Sequence, residues 1–254
     1  MTPPERIAAA RDSLRQAEQE LMAALKGNDS RSRAPINRML HEVRGMLRPG
    51  YPFASQAGQD RVIENALQGK SGGTFVDIGA YDGVTGSNTL YFEKWRGWTG
   101  VLVEPVAAMR EIARSVRTVP CLGYAVSDMK GEASFMAVTE GFTQMSGLVD
   151  HYDAEMLARV RADPRHKEEM VTVPTRSIAD ILDESGLTAP DFISLDIEGG
   201  ELAALRAFPF ADYKVRTWAI ENNAGGPEIA ELMRKNGYNL IEFCGPDEIY
   251  LLAD

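Results

Sequence analysis

Phe75-Val76-Asp77-Ile78-Gly79-Ala80-Tyr81-Asp82-Gly83 reads as an apolar strand running straight into a loop with two glycines. Gly79 allows the main chain to turn sharply beside a ligand, and Gly83 relieves crowding in the same loop. A loop of this kind at the C-terminal end of a strand lets a nucleoside approach the backbone of residues 79 and 80. A dinucleotide loop reads Gly-x-Gly-x-x-Gly and receives a pyrophosphate. Here the middle glycine is missing, and Asp77 and Asp82 would repel phosphate.

The chemistry of that loop therefore favours a nucleoside ligand that has positive charge and no phosphate. S-adenosylmethionine, with its ammonium and sulfonium, fits that description, and NAD does not. About one β–α unit later, Val101-Leu102-Val103-Glu104-Pro105 ends a strand on an acid. A carboxylate there can accept both ribose hydroxyls, and Pro105 starts the next helix without wasting a donor. Asp128 follows the next strand, in Ala125-Val126-Ser127-Asp128. Two roles are open to it, accepting the adenine amino group or capping the turn before Lys130-Gly131.

Around this nucleus the chain alternates. Strand-like runs cover 74–78, 100–104, 119–126, 192–196, 217–221 and 239–243, with helical patterns at 89–95, 106–116, 178–184, 201–207 and 228–235. Alternation of this kind predicts a parallel sheet with right-handed crossovers. The rhythm breaks at the end, where 239–243, Gly245-Pro246-Asp247 and 248–252 predict a hairpin and one antiparallel strand. The expected fold is thus α/β, a Rossmann-like doubly wound sheet, mostly parallel with a C-terminal antiparallel hairpin. Residues 1–50 form a helical extension and 51–254 the cofactor-binding domain. Within the latter, 139–170 read as an insertion with a polar helix, placed to act as a substrate lid.

The extension carries Ile7, Ala10, Leu14, Ala17, Leu21 and Ala24 in steps of three and four, a helix whose narrow apolar seam suits either a homo-oligomer contact or packing on the parent domain. Further helices are expected over 36–47, stopped by Pro49-Gly50, and 59–67.

Ser55-Gln56-Ala57-Gly58-Gln59-Asp60, the run FVDIGAYDGVTGSNT (Phe75 to Thr89), GWTGVLVEP (Gly97 to Pro105) and DFISLDIEGGE (Asp191 to Glu201) occur in this order. On these four motifs the chain resembles the FkbM family of methyltransferases over residues 53–252. The resemblance implies S-adenosylmethionine as methyl donor and, as acceptor, a hydroxyl on a sugar or other small natural product. It places Asp77, Gly79 and Glu104 on cofactor-binding positions, with Ala80 and Asp82 in the same loop. Gln56, Ser87 and Asn88 fall where the methionine end is held. Residues 1–50 lie outside the resemblance.

Past the fourth of the main strands come Asp196-Ile197-Glu198-Gly199-Gly200-Glu201, and past the fifth come Glu221 and Asn222. Adjacent parallel strands lie about 4.8 Å apart, so Asp196, Glu221 and Asn222 can converge on one small volume. Such hard oxygen ligands suit Mg²⁺, which would acidify and orient a substrate hydroxyl. Without a metal, Asp196 or Glu198 is the candidate general base. Acids at this position also serve simply to cap the following helix. Among the histidines only His151, beside Tyr152, stands out as an alternative base.

Composition sets the outer limits. The 254 residues carry 27 basic and 37 acidic side chains, a net charge of −10 that disfavours a nucleic-acid backbone footprint. Apolar runs are strand-sized, so no membrane span is expected. The N-terminus lacks the pattern of a signal peptide, and Cys121 and Cys244 read as buried thiols suited to the cytoplasm. A different class stays open, a non-catalytic S-adenosylmethionine-binding module that assembles through its N-terminal helix. A nicotinamide oxidoreductase is the weaker enzyme alternative.

Overall fold

The computed structural model describes residues 1–149, 152 and 154–253. The alternation read from the sequence is realised as β1 (Thr74–Ile78), α4 (Leu90–Arg96), β2 (Thr99–Val103), α5 (Ala107–Val116) and β3 (Cys121–Leu122), then, after a second sheet, α7 (Ile178–Ser185), β8 (Phe192–Leu195), α8 (Glu201–Ala207), β9 (Thr217–Glu221) and α9 (Glu228–Lys235). The hairpin of β10 (Tyr238–Cys244) and β11 (Asp247–Leu252) ends the chain. The main sheet has the order β10-β11-β9-β8-β1-β2-β3. Its strands are parallel except β11, which pairs antiparallel with both β9 and β10.

This is the expected Rossmann-like doubly wound sheet with an antiparallel terminal hairpin. The order reverses between β1 and β8, and ligands of such sheets sit beyond the strand ends at that switch point. β8 and β9 are buried along their whole length and β1 from Phe75 to Ile78, as expected of central strands covered on both faces. One side of the sheet packs Val76, Ile78, Val101, Val103, Ile193 and Leu195 against α7 and α8. The other packs Phe75, Leu102 and Phe192 against Ile63, Phe92 and Trp98. Trp98 is thus a packing residue, while Trp95 is exposed and stacks on Tyr91.

The stretch 119–126 was expected to be one strand. It divides at Gly123-Tyr124: β3 stays in the main sheet and β4 (Ala125–Val126) enters a second one. That sheet, ordered β4-β7-β5-β6, also contains β5 (Gly131–Glu140), β6 (Gly147–Leu148) and β7 (Lys167–Arg176). The polar helix expected in the insertion is α6 (Ala154–Arg161). The two long strands β5 and β7 were not legible, because β7 mixes Lys167, Glu168 and Glu169 with a proline at 174.

The extension folds as α1 (Pro3–Leu25) and α2 (Arg33–Leu47), followed by α3 (Gln59–Ala66). Thr2 and Glu5 close a capping box at the start of α1. Of its apolar seam, Leu14, Ala17 and Leu21 are part-buried while Ile7 and Ala10 are exposed. Among the described residues no helix is long and apolar enough to cross a membrane. Cys121 and Cys244 are free, buried thiols.

Gly79 fixes the end of β1. Its φ is +84°, and a Cβ there would lie 1.7 Å from the carbonyl oxygen of Asp196 on the neighbouring strand end. Gly79→Ala should therefore destabilise the chain by roughly 3 kcal/mol, the left-handed strain and the clash together. Thermal unfolding should show a Tm lower by on the order of 10 °C, and an unchanged Tm would contradict this packing.

Candidate functional site

The carboxyl ends of the parallel strands open into one cleft. Along its floor run Glu104 after β2, Gly79 and Ala80 after β1, Asp196 after β8, Glu221 at the end of β9 and Asp247 at the start of β11. Its roof is the segment Thr143–Ser146 between β5 and β6, with Phe135 and Leu148. Tyr81 ties the floor loop to this roof through a hydroxyl contact with Thr143 Oγ1 at 2.7 Å.

The glycine loop is set by backbone hydrogen bonds and by two carboxylates. The amides of Gly79 and Ala80 both donate to the Val103 carbonyl, at 3.0 and 3.1 Å. Glu104 accepts from the Tyr81 amide (2.9 Å) through Oε2 and the Val106 amide (2.7 Å) through Oε1. Each of its oxygens keeps a further lone pair for a ligand hydroxyl. Burial pushes the Glu104 carboxyl up to about 7. Asp77 is buried and accepts from Thr89 Oγ1 (2.6 Å) and Ser87 Oγ (3.2 Å), so its side chain braces the loop from beneath.

Arg117 completes this brace. Its guanidinium is fully buried, pairs with Glu93 at 2.5 Å, and donates to the Gly83 carbonyl (2.8 Å) and Thr89 Oγ1 (3.0 Å). Nothing in its local sequence marks it out. Gln56 folds over Gly86, where a Cβ would come within 2.6 Å of it. Asn88 donates to Ser194 Oγ at 3.0 Å and to Asp247 at 3.4 Å.

Most of the residues expected to hold a cofactor do line the cleft: Gln56, Asp77, Gly79, Ala80, Ser87, Asn88 and Glu104. Asp82 and Asp128 stand outside it. Asp82 caps its own loop, accepting from the Val84 and Thr85 amides at 2.8 and 2.7 Å. Asp128 is exposed and accepts from the Ser127 hydroxyl. His151 lies outside the described residues.

The acids at the far end form a tight group. Oxygens of Asp196, Glu198 and Glu221 lie within 4.8 Å of one another. Glu198 enters through a left-handed backbone conformation, φ +57°, which turns its side chain back toward the cleft. A Cβ added at Gly147 of β6 would lie 3.5 Å from the Glu198 Cβ, so the roof passes close to the acid group. Asn222, expected beside Asp196 and Glu221, is not brought into this group. Its amide donates to Glu248 Oε1 (2.8 Å) and the Gly226 carbonyl (3.0 Å), and its oxygen accepts from the Gly225 amide. Glu201 accepts from the Ile197 and Gly199 amides and so takes the loop-capping role.

Sequence reasoning missed Asp247, which donor groups of Gln59 (3.1 Å) and Asn88 hold at the cleft floor. It also missed Arg31, from the extension. Arg31 pairs with buried Glu248 at 2.7 Å and donates to the carbonyls of Pro246 and Asn222, neighbours in sequence of Asp247 and Glu221.

Desolvation by the surrounding protein, then mutual repulsion, raises every acid of the group. Asp196 and Glu221 are held well above the ordinary carboxylate range, Glu198 at about 8 and Asp247 at about 6. Two buried acceptors, Asn88 Oδ1 and Glu221 Oε2, meet no donor among the described residues. Buried acceptors normally find partners, and a ligand bearing donors or positive charge would satisfy these two. S-adenosylmethionine fits that requirement through its ammonium and ribose hydroxyls, and a hard cation fits the three-acid group.

The methyltransferase FkbM domain family matches residues 77–240, more than half of the chain. No curated protein matches it in sequence. Among solved structures it is similar to methyltransferase FkbM from Methylobacillus flagellatus KT, at 18% identity and a TM-score of 0.48, over 93% of this chain and 58% of that one. It is similar also to precorrin-6y C5,15-methyltransferase from Geobacter metallireducens GS-15, at 12% identity and TM-score 0.45, over 80% and 94%. A third is a SAM-dependent methyltransferase from Thiobacillus denitrificans in complex with S-adenosyl-L-homocysteine, at 12% identity and TM-score 0.37, over 78% and 70%. The chain thus spans less than two thirds of the length of the first of these structures.

The acid group makes a prediction about stability. Glu198 keeps its proton up to about pH 8 when folded and to its ordinary value of 4.5 otherwise. The folded chain therefore binds more protons than the unfolded one across that window, and stability must fall as pH rises through it. In metal-free buffer the Tm should drop between about pH 5 and 8, and Glu198→Gln should flatten the drop. A Tm that rises over this range would contradict the burial of these acids.

Proposed function

Because the chain belongs to the FkbM methyltransferase family, we propose that it transfers a methyl group from S-adenosylmethionine to a hydroxyl of a small acceptor, a sugar or another natural product. The observation that supports this reading most is the cleft itself: a loop and a ribose-type acid at one end, and a half-buried acid group at the other. S-adenosylmethionine, when bound, supplies a methyl already activated by the positive sulfur.

The residues divide the remaining work. Glu104 would hold the ribose hydroxyls with both oxygens, on a carboxylate already oriented by the Tyr81 and Val106 amides. Asn88 Oδ1 is the unpartnered acceptor available to the ammonium end, with Gln56 and Ser87 beside it. Glu198, raised to about 8 by burial, would in its ionised form be basic enough to take the acceptor hydroxyl's proton as the oxygen attacks, so turnover should rise as pH approaches 8. Thr143 to Ser146 would close over the acceptor as a lid and exclude water, and aligning the two reactants supplies much of the rate. Two buried thiols without a disulfide suit a cytoplasmic enzyme.

One observation favours a second route for the same reaction. Three carboxylates within 4.8 Å repel one another unless they share protons or a cation. Asp196, Glu198 and Glu221 would hold Mg²⁺, which lowers the pKa of a bound hydroxyl. Loss of turnover in chelator, restored by Mg²⁺, would select this route; full turnover in chelator leaves Glu198 as the base.

Calorimetry tests the cofactor reading directly. S-adenosylhomocysteine should bind with no detectable binding of NAD. Glu104→Ala should weaken it by about tenfold to a hundredfold, the loss of one or two charged hydrogen bonds. Glu104→Gln should be milder, since the amide keeps one acceptor. Equal binding of NAD would overturn the reading.

A further inference from the structure

Residues 1–50 carry nine basic and six acidic side chains, against eighteen and thirty-one in the remainder. The extension is therefore cationic on an acidic protein, and its arginines gather rather than scatter. A groove runs between α1, the end of α2, the linker 49–53 and α3. Arg15, Arg44, Arg48 and Arg61 line it, and Glu18 is the one acid among the lining residues.

Glu18 shows what chemistry the groove accommodates. It is the one buried residue of a largely exposed helix, and its carboxylate sits between Arg44 at 3.0 Å and Arg48 at 2.7 and 2.9 Å. Those arginines hold its carboxyl below its ordinary value despite the burial. This internal anion satisfies only part of the positive charge. Among the described residues Arg15 pairs only with Asp12 of its own helix, where both side chains are largely exposed. Among the described residues the Arg61 guanidinium meets no carboxylate within salt-bridge distance. Tyr51, Pro52 and Phe53 supply an apolar wall beside them.

With Glu18 and Asp12 both counted, the four arginines leave two positive charges in excess, which suits a multiply charged oxyanion, and the planar fork of arginine matches phosphate geometry with paired donors. We propose that this groove is a second ligand site, distinct from the cofactor cleft, that binds a phosphate-bearing group. Arg15 and Arg61 contact the anion, Arg48 adds a donor from the Glu18 pair, and the aromatic wall takes the organic part next to the phosphate. The groove lies close to the cleft along the chain, because Phe53 lines one and Gln56 the other. Three residues of chain span at most about 11 Å.

The phosphate can be free and soluble or part of a lipid headgroup, and titration of the full chain distinguishes the two. Inorganic pyrophosphate serves as the soluble probe, and vesicles of phosphatidylcholine with phosphatidic acid as the other. Saturable one-site binding of pyrophosphate identifies a soluble ligand. Binding confined to vesicles identifies the headgroup. In either case Arg15→Gln/Arg61→Gln should weaken it at least about tenfold, while the remote control Arg234→Gln leaves it unchanged. Both arginines of the double variant lie outside the Glu18 cluster, and an unaltered Tm verifies that it folds. Glu18→Gln should tighten binding by releasing Arg44 and Arg48. Absence of binding to both probes overturns the proposal, as does binding that the double variant leaves intact, which would place the anion elsewhere.

Discussion

Where β1 ends, the chain passes the Asp196 carbonyl at a distance that leaves no room for a Cβ, and residue 79 must also adopt a positive φ. Only glycine meets both conditions without strain. From that turn the amides of Gly79 and Ala80 reach the Val103 carbonyl, and the Tyr81 amide reaches Glu104. The ends of β2, β1 and β8 are thereby locked to one another. The cleft exists because three neighbouring strands stop at the same level and one of them turns without a side chain. Arg117 and Asp77 support the turn from below, so its charged neighbours are chiefly braces.

The far end of the cleft is built on an electrostatic tension. Asp196, Glu198, Glu221 and Asp247 gather at the ends of β8, β9 and β11, half-buried or buried, where little solvent screens their charges. Repulsion of this kind is tolerated when protons or a cation offset it, and either answer supplies chemistry: a carboxylate of raised basicity once its proton has left, or a Lewis acid. Arg31 holds the frame from outside by gripping Glu248 and the main chain beside Glu221 and Asp247. The helical extension is thus tied to the geometry of the site, although the family match does not include it.

What was legible in the sequence was local. The run from Phe75 to Gly83, the acid at 104 and the alternation of short apolar strands with amphipathic helices announce the main sheet, since each signal lies within one element. The second sheet was hidden because β5 and β7 stabilise each other across some thirty intervening residues, pairing Phe135 with Val171. Strand ends predicted which residues gather, yet not which way side chains turn. Asn222 follows β9 as expected but binds Glu248, while the left-handed turn at Glu198 brings that acid in instead. Arg31 and Arg117 look like ordinary charges in sequence; only the tertiary fold gives them buried partners.

The central claim is that this cleft moves a methyl group onto an acceptor oxygen. Incubating the enzyme with S-adenosylmethionine carrying a trideuteromethyl group, in a pool of small hydroxylated metabolites, tests it most directly. Mass spectrometry should find a product that gains one deuterated methyl, with fragments placing it on oxygen, and Glu198→Gln should suppress that product. Label found on nitrogen or carbon, or label whose yield is indifferent to the acid group, would contradict the account.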